Sequence, residues 1–170
     1  MKLENCRDSN IPTVLVGVTH ALLDFSEEFP IHFPGLIVIE TGGMKGTRPE
    51  VTKAELHKIL CKKLGVDKIY SEYGLTELLS QAYTSGGILF KPNPFLKVSI
   101  KQLNDPLHPE KLSKPGIICL TDLANIDSCA FIQTEDKGIL YSDGSFEVSG
   151  RIESSDIRGC NLLLQEIGLM

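Results

Sequence analysis

The chain of 170 residues is long enough for one well-packed domain, and its 42% hydrophobic and 23% charged residues are typical of a folded globular protein. A formal net charge of -5 excludes a general nucleic-acid binder, which needs a basic face, so we expect no nucleic acid among its partners. No apolar run approaches the roughly 20 residues that span a bilayer, and residues 1–10 lack a secretion leader. We therefore expect a cytoplasmic protein without a membrane span.

The first part of the chain is predicted to alternate strands and helices. Continuous runs of apolar, often β-branched residues predict buried strands at residues 13–18 and 36–40, and residues 66–70 are predicted to form a third strand. Residues 21–29 favour a helix. A second helix follows Thr52, which has the capping-box spacing with Glu55, and it ends at Gly65. This alternation is typical of a parallel sheet, whose ligands bind at the carboxyl ends of the strands.

The second part of the chain consists of short strands separated by turn residues, which predicts an antiparallel, barrel-like sheet. The predicted strands are residues 97–101, 116–120, 129–133, 138–141 and 146–149. Residues 142–144, Ser-Asp-Gly, favour a hairpin turn. We expect an α/β part over residues 1–86, an antiparallel β-rich part over residues 87–151, and a turn with an apolar tail over residues 152–170.

The first candidate loop follows the second predicted strand and contains Gly42, Gly43 and Lys45. Paired glycines let the backbone approach a ligand closely, and a lysine beside them can neutralise an anion. Taken alone, this cluster is explained more simply by a glycine turn with a solvated lysine.

The second candidate loop is residues 73–77, YGLTE, after the third predicted strand. Tyr73 offers an aromatic face, Gly74 a close backbone approach, and Thr76 a hydroxyl for a phosphate. Glu77 adds a carboxylate that suits magnesium. The alternative interpretation is an ordinary strand-to-helix turn, with Thr76 and Glu77 in the first helical turn.

The third candidate cluster is residues 134–138, TEDKG, followed later by Gly150 and Arg151. A carboxylate that leaves a strand, here Asp136, can accept hydrogen bonds from both hydroxyls of a ribose. An arginine can pair with phosphate or ribose oxygens. Each piece taken singly is also typical of a β-turn.

The order of these motifs, YGLTE, then TEDKG, then GRIESSDIRG, resembles the adenylate-forming superfamily of acyl-CoA synthetases, luciferases and peptide-synthetase adenylation domains. Within it, GGMKG, SEYGLTELLSQAY and SDIRGCN are most similar to the acyl-protein synthetases, the long-chain-fatty-acid–protein ligases of bacterial luciferase systems. The resemblance covers about residues 35–165. It implies a partial α/β adenylate-forming fold, the carboxyl-terminal portion only, because no Ser/Thr/Gly-rich phosphate loop precedes YGLTE.

The resemblance also implies roles for residues of the second loop. Tyr73 would stack on adenine, with Gly74 beside the nucleotide. Thr76 would hydrogen-bond the adenylate phosphate, and Glu77 would hold Mg²⁺.

The other motifs acquire roles from the same resemblance. Asp136 would bind the ribose hydroxyls, and Arg151 would contact ribose or phosphate. Gly42 and Gly43 would line the nucleotide or acyl pocket.

The implied reaction uses ATP and Mg²⁺ to activate a fatty acid or other carboxylate, and then transfers the acyl group to a thiol. In the acyl-protein synthetases the acceptor is a cysteine near the carboxyl terminus, which Cys160 matches. The alternative is that Cys160 is structural, like Cys61, Cys119 and Cys129, which we predict to be small core residues. An acyl-group reductase is the partner expected by analogy.

Two other functions stay open at this point. One is a coenzyme A ligase for an aromatic or small carboxylate, similar to phenylacetate-CoA ligases. The other is a non-catalytic remnant that binds a nucleotide or a partner protein. A partial fold would also leave an apolar face exposed, through which we expect self-association.

Overall fold

The structure is a computed structural model that describes residues 2–42 and 52–152, and these residues form two sheets with few helices. The helices are α1 (Lys2–Asp8), α2 (Thr19–Glu28), α3 (Lys53–Leu64) and a short 3-10 helix (Leu123–Asn125). The first sheet contains β1 (Thr13–Val18), β2 (Leu36–Thr41), β3 (Tyr70–Tyr73), β4 (Ala82–Tyr83) and β5 (Lys91–Pro92). The second contains β6 (Leu96–Lys101), β7 (Pro115–Asp122), β8 (Phe131–Leu140) and β9 (Phe146–Arg151). Among residues 2–42 and 52–152, no helix is long and apolar enough to cross a membrane.

The parallel start of the first sheet is confirmed, because β1 pairs with β2 and β2 with β3 in parallel. The third strand lies later than predicted, at Tyr70–Tyr73 instead of residues 66–70. Val66 and Ile69 are buried in the core between the sheet and its helices instead of pairing in the ladder. The apolar residues of this segment therefore reflect burial, and pairing with β2 begins only at Tyr70.

Helix α3 begins and ends as predicted. Thr52 Oγ1 accepts a hydrogen bond from Glu55 N, and the Glu55 side chain accepts one from Thr52 N, which completes the capping box. Gly65 ends the helix in the left-handed conformation, with φ +65°. The apolar side of the helix, including Leu56, Leu60 and Leu64, packs in the core under the parallel strands.

We expect the substitution Thr52→Ala to lower the free energy of unfolding by about 1 kcal/mol, because it removes the acceptor for an orphan N–H at the start of the helix. Urea unfolding of both proteins measures the difference. Lys58→Ala, at an exposed position on the same helix, is the matched control and should change stability little. Equal effects of the two substitutions would contradict a stabilising role for the cap.

The antiparallel second sheet is also confirmed, with strand order β6-β7-β8-β9. Its described strands form an open ladder, because β6 and β9 lie at opposite edges without pairing. Two predicted strands, residues 129–133 and 138–141, are replaced by the single strand β8, which spans ten residues. Residues 134–138, TEDKG, therefore lie within a strand, and the β-turn interpretation of this motif is wrong.

The hairpin turn predicted at residues 142–144 is confirmed between β8 and β9. Gly144 has φ +80°, and Tyr141 N donates a hydrogen bond to the carbonyl oxygen of Ser145. Gly138 is required for a different reason, because a Cβ at this position would collide with the carbonyl oxygen of Glu147 on the paired strand.

The two sheets share a core of aromatic residues. Phe90, just before β5, exchanges two backbone hydrogen bonds with Phe146 of β9, of 2.8 and 3.0 Å. Both rings contact Tyr73 at the end of β3. The chain passes from one sheet to the other between Pro92 and Leu96, whereas a domain boundary at residues 86–87 stays a prediction.

One face of the first sheet is apolar and exposed. Val14 and Val16 on the edge strand β1, together with Ile37 on β2, have side chains about half exposed. The helices α2 and α3 pack together on the other side, where the buried core lies. Self-association through the exposed face stays a prediction.

Candidate functional site

The YGLTE loop leaves the carboxyl end of β3. The chain turns through residues 74–81 and returns antiparallel as β4, so the strand-to-helix interpretation of this loop is wrong. Thr76 and Glu77 lie exposed in this turn, and Thr76 Oγ1 donates a hydrogen bond of 3.0 Å to Glu77 Oε2. The loop therefore presents a hydroxyl and a carboxylate side by side to the outside.

The loop is held by Asp122, a residue that the motif analysis missed. This carboxylate is fully buried at the end of β7 and accepts hydrogen bonds from Leu79 N, Ser80 N and Ser80 Oγ, of 2.9, 2.9 and 2.7 Å. It also accepts one from Ala124 N, which caps the 3-10 helix. Burial alone would raise the pKa of Asp122, but these hydrogen bonds lower it below its usual value.

A second anchor of the loop comes from the 3-10 helix. Asn125 Nδ2 donates hydrogen bonds of 2.6 Å to the carbonyl oxygen of Glu77 and of 3.0 Å to that of Cys129. The Ser128 hydroxyl donates to Asn125 Oδ1. Together with Asp122, this network fixes the backbone of the loop while the side chains of Thr76 and Glu77 stay exposed. The detectable signal was a polar TDLAN segment directly after a buried strand.

Tyr73 is largely buried, with 9% of its surface exposed. Its ring centroid lies 5.8 Å from that of Phe90 and 5.5 Å from that of Phe146, in tilted and edge-on contacts. Its hydroxyl donates a hydrogen bond of 2.8 Å to Asp136 Oδ2. Burial and the nearby charge of Asp136 raise the pKa of Tyr73, so the phenol remains a hydrogen-bond donor.

Asp136 and Arg151 are cross-strand neighbours on β8 and β9. Arg151 Nε lies 3.4 Å from Asp136 Oδ1, and an Nη nitrogen of Arg151 lies 3.5 Å from Glu135 Oε2. The side chains of Asp136 and Arg151 are 14% and 25% exposed. Thus the carboxylate contacts Tyr73 through one oxygen and Arg151 through the other, while part of its surface faces solvent.

Thr134 positions the backbone beneath this carboxylate. Its buried hydroxyl donates a hydrogen bond of 2.9 Å to the carbonyl oxygen of Ile118 and accepts one of 3.0 Å from Asp136 N. The TEDKG segment is therefore tied to β7 at the residue that precedes the two acidic side chains.

Gly42 lies at the same edge of the first sheet as Tyr73. Thr41 pairs with Glu72 in the parallel ladder, so Gly42 and Tyr73 both follow the last β2–β3 pair, although Tyr73 still pairs with Ala82 of β4. Gly42 has φ +81°, and among residues 2–42 and 52–152 no atom lies within 4 Å of the place where its Cβ would stand. Gly43 and Cys160 lie outside the described residues.

A buried charge network under this edge was also missed by the motif analysis. Glu40 at the end of β2 is 1% exposed and accepts hydrogen bonds from Thr19 Oγ1 and Lys53 Nζ, of 2.9 and 2.7 Å. His57 Nε2 lies 3.8 Å from Glu40 Oε1 and 3.0 Å from Ser71 Oγ. Burial raises the pKa of Glu40, but the nearby His57 imidazole and the charge and hydrogen bond of Lys53 lower it to about 2.

This network joins the first sheet to the aromatic core. Lys53 Nζ, which pairs with Glu40, also lies 5.1 Å from the centroid of the Phe90 ring. The signal in the sequence was a single carboxylate at the end of the apolar run LIVIE, since a charge is rarely buried without a partner.

Of the three cysteines predicted to be core residues, Cys61 packs against a hydrophobic core, whereas Cys119 and Cys129 belong to neither core cluster. Cys61 and Cys119 are half-buried, and burial raises the pKa of both thiols. Cys129 is exposed and is not a core residue, and it lies just before β8 begins at Phe131.

Among residues 2–42 and 52–152, no group of three or more His, Cys, Asp and Glu side chains could hold a metal ion. A single exposed carboxylate such as Glu77 still fits Mg²⁺, since this ion is commonly held by one or two carboxylates together with substrate phosphates and water.

The comparisons with known proteins identify the fold. No family model and no curated protein sequence matches this chain. Among solved structures, it resembles ATP-bound MatB from Rhodopseudomonas palustris with a TM-score of 0.64 and 16% identity, over 88% of this chain and 32% of that one. It also resembles the O-succinylbenzoate coenzyme A synthetase MenE from Bacillus subtilis in complex with AMP, with a TM-score of 0.61 and 21% identity, over 93% and 35%. The fold is that of the carboxyl-terminal part of adenylate-forming enzymes.

A third adenylate-forming neighbour extends the similarity. The amide bond synthetase McbA from Marinactinospora thermotolerans has a TM-score of 0.60 and 16% identity, over 88% of this chain and 33% of that one. The chain thus spans about a third of the length of these neighbours.

Proposed function

We propose that this chain is the part of an adenylate-forming ligase that binds the ribose and the Mg²⁺-phosphate end of ATP. The observation that carries the proposal is the hydrogen bond of 2.8 Å from the Tyr73 hydroxyl to Asp136 Oδ2. It joins the YGLTE loop to the TEDKG strand, which are far apart in sequence, at the sheet edge where such folds bind ligands. The similarity to ATP-bound MatB, and to MenE in complex with ATP and magnesium ion, supports the same assignment.

In this proposal each side chain of the site has one role. Asp136 accepts hydrogen bonds from the ribose hydroxyls, and Arg151 donates hydrogen bonds to phosphate or ribose oxygens. Thr76 donates to the α-phosphate, and Glu77 ligates Mg²⁺, which offsets the charge that develops on the phosphates. Gly42 lets the backbone approach the nucleotide, as does Gly43 outside the described residues.

The proposed chemistry has two steps. A carboxylate oxygen of the substrate attacks the α-phosphorus of ATP, which forms a C–O–P linkage and breaks the bond to the bridging oxygen. Pyrophosphate leaves with that electron pair. A thiolate then attacks the acyl carbonyl carbon, which forms a thioester and releases AMP.

The acyl acceptor in this proposal is Cys160, and the substrate is a fatty acid. Support comes from the similarity of the GGMKG, SEYGLTELLSQAY and SDIRGCN segments to the acyl-protein synthetases. The acyl group would pass from this thioester to a reductase. Transfer to coenzyme A is the second candidate, favoured by the similarity to MenE, which is a coenzyme A synthetase.

The experiment is the intact mass of the full chain after incubation with preformed fatty acyl-adenylate, or with Mg-ATP and a fatty-acid mixture. We expect one added acyl group from acyl-adenylate in the wild type and none in the variant Cys160→Ala. Labelling that also occurs with Mg-ATP would place the activation step in this chain as well.

The matched control is Cys129→Ala, which removes an exposed thiol without a role in the proposal and should keep full labelling. Labelling that survives in Cys160→Ala but disappears in Cys129→Ala would contradict the acceptor assignment. No labelling in either arm, together with acyl transfer to added coenzyme A, would favour the second candidate.

A further inference from the structure

We propose that the Tyr73 hydroxyl is a positioning group that sets the Asp136 carboxylate for a ribose cis-diol, and so determines selectivity for ribonucleotides. The inference rests on the proposed function, since it names the moiety of the nucleotide that the site selects and the group that enforces the choice.

The first step of the argument is the occupancy of the carboxylate. Asp136 Oδ2 accepts from the Tyr73 hydroxyl at 2.8 Å, and Oδ1 lies 3.4 Å from Arg151 Nε. Each carboxylate oxygen has two lone pairs, so one acceptor position remains on each oxygen. The two protein contacts thus leave Asp136 able to receive two further donors, the number that a cis-diol supplies.

The second step concerns which contact fixes the orientation. The contact from Tyr73 is the shorter of the two, and its donor is a buried phenol whose ring packs against Phe90 and Phe146, which also stack on each other. Arg151 is more exposed and is shared with Glu135. The orientation of the carboxylate therefore depends mainly on the rigid phenol.

The third step separates the hydroxyl from the ring. The neighbours of Tyr73 in the aromatic cluster are phenylalanines, so a phenylalanine at position 73 fills the same space with the same kind of contacts. The hydroxyl adds one hydrogen bond to an ionised acceptor. Its effect is therefore expected on Asp136 and on what Asp136 binds.

The experiment compares the affinities of the full chain for Mg-ATP and for Mg-2′,3′-dideoxy-ATP by isothermal titration calorimetry. The wild type is expected to prefer ATP, and Tyr73→Phe is expected to reduce that preference about tenfold, the effect of one hydrogen bond to a charged group. The affinity for the dideoxy nucleotide should change little, because it lacks the hydroxyls that Asp136 would bind.

Two further variants separate positioning from packing. Tyr83→Phe removes a hydroxyl that donates to Glu72 Oε2 at 2.7 Å, and it should leave the preference unchanged. In an Asp136→Asn background, Tyr73→Phe should reduce the preference no further, because both substitutions act through one carboxylate.

Each other outcome counts against the inference. If Tyr73→Phe prefers ATP over the dideoxy nucleotide as strongly as the wild type does, the inference is overturned and the proposed function stays intact. An equal loss of affinity for both nucleotides, or an additive loss in the Asp136→Asn background, would assign Tyr73 to packing alone. Absence of binding of either nucleotide by the wild type would overturn the proposed function as well.

Discussion

The substitution Asp122→Ala is expected to lower the free energy of unfolding by about 4 kcal/mol, because it leaves several hydrogen-bond donors without their acceptor. The donors are the backbone N–H groups of Leu79, Ser80 and Ala124 and the hydroxyl of Ser80. Asp122 is fully buried, and the N–H of Ser80 is tied to it from the neighbouring loop, so water does not readily replace the carboxylate. The effect exceeds that of the helix cap because several donors lose one partner.

Urea unfolding of the wild type and Asp122→Ala measures this loss. Asp122→Asn retains one acceptor oxygen and should lose less stability, whereas Asp127→Ala, at an exposed position five residues further along, should lose little. Similar losses for Asp122→Ala and Asp127→Ala would show that the buried carboxylate does not anchor the YGLTE loop.

The second large effect is expected for Glu40→Gln, which should lower the free energy of unfolding at pH 7 by about 3 kcal/mol. Glu40 is buried with Lys53 Nζ at 2.7 Å, so a neutral amide leaves that ammonium without its counter-charge. The hydrogen bond from Thr19 is also weakened, because its acceptor is no longer ionised. Glu28→Gln, at an exposed position on α2, is the matched control and should change stability little.

The loss caused by Glu40→Gln should depend on pH in a stated direction. The folded protein lowers the pKa of Glu40 from 4.5 to about 2, which corresponds to about 3 kcal/mol of stability for the ionised form. A lowered pKa stabilises the fold above the unfolded value, near pH 4.5, and this contribution is lost as the pH falls toward 2. The difference between wild type and variant should therefore be full at pH 7 and much smaller at pH 2. A difference that stays constant over this range would contradict the ion-pair explanation.

Several parts of the fold could be predicted because their signals are local. The capping box of Thr52 and Glu55 acts within one helical turn, and the turn at Gly144 depends on a single residue with positive φ. The alternation of apolar strands and helices predicted the parallel pairing of β1, β2 and β3.

Other predictions failed where burial and pairing make similar demands on sequence. In residues 66–70 the apolar Val66 and Ile69 lie in the core, yet the ladder begins only at Tyr70. The acidic TEDKG segment has the composition of a turn. However, the Thr134 hydroxyl donates a hydrogen bond to the backbone of β7, and strand β8 continues through the whole segment. Composition alone cannot distinguish these cases, because the deciding hydrogen bonds come from neighbouring strands.

The candidate site divides in the same way. The sequence by itself determined the order of the motifs, the ends of helix α3, the turn at Gly144 and the residue types available for chemistry, because these depend on near neighbours along the chain. Only the tertiary structure decided that Tyr73 meets Asp136, that Asp122 anchors the loop, and that Glu40 lies buried beside Lys53. These pairs are separated by 63, 42 and 13 residues. Such contacts form when strands from separate segments pack together and exclude water, which makes a polar partner necessary for each buried group.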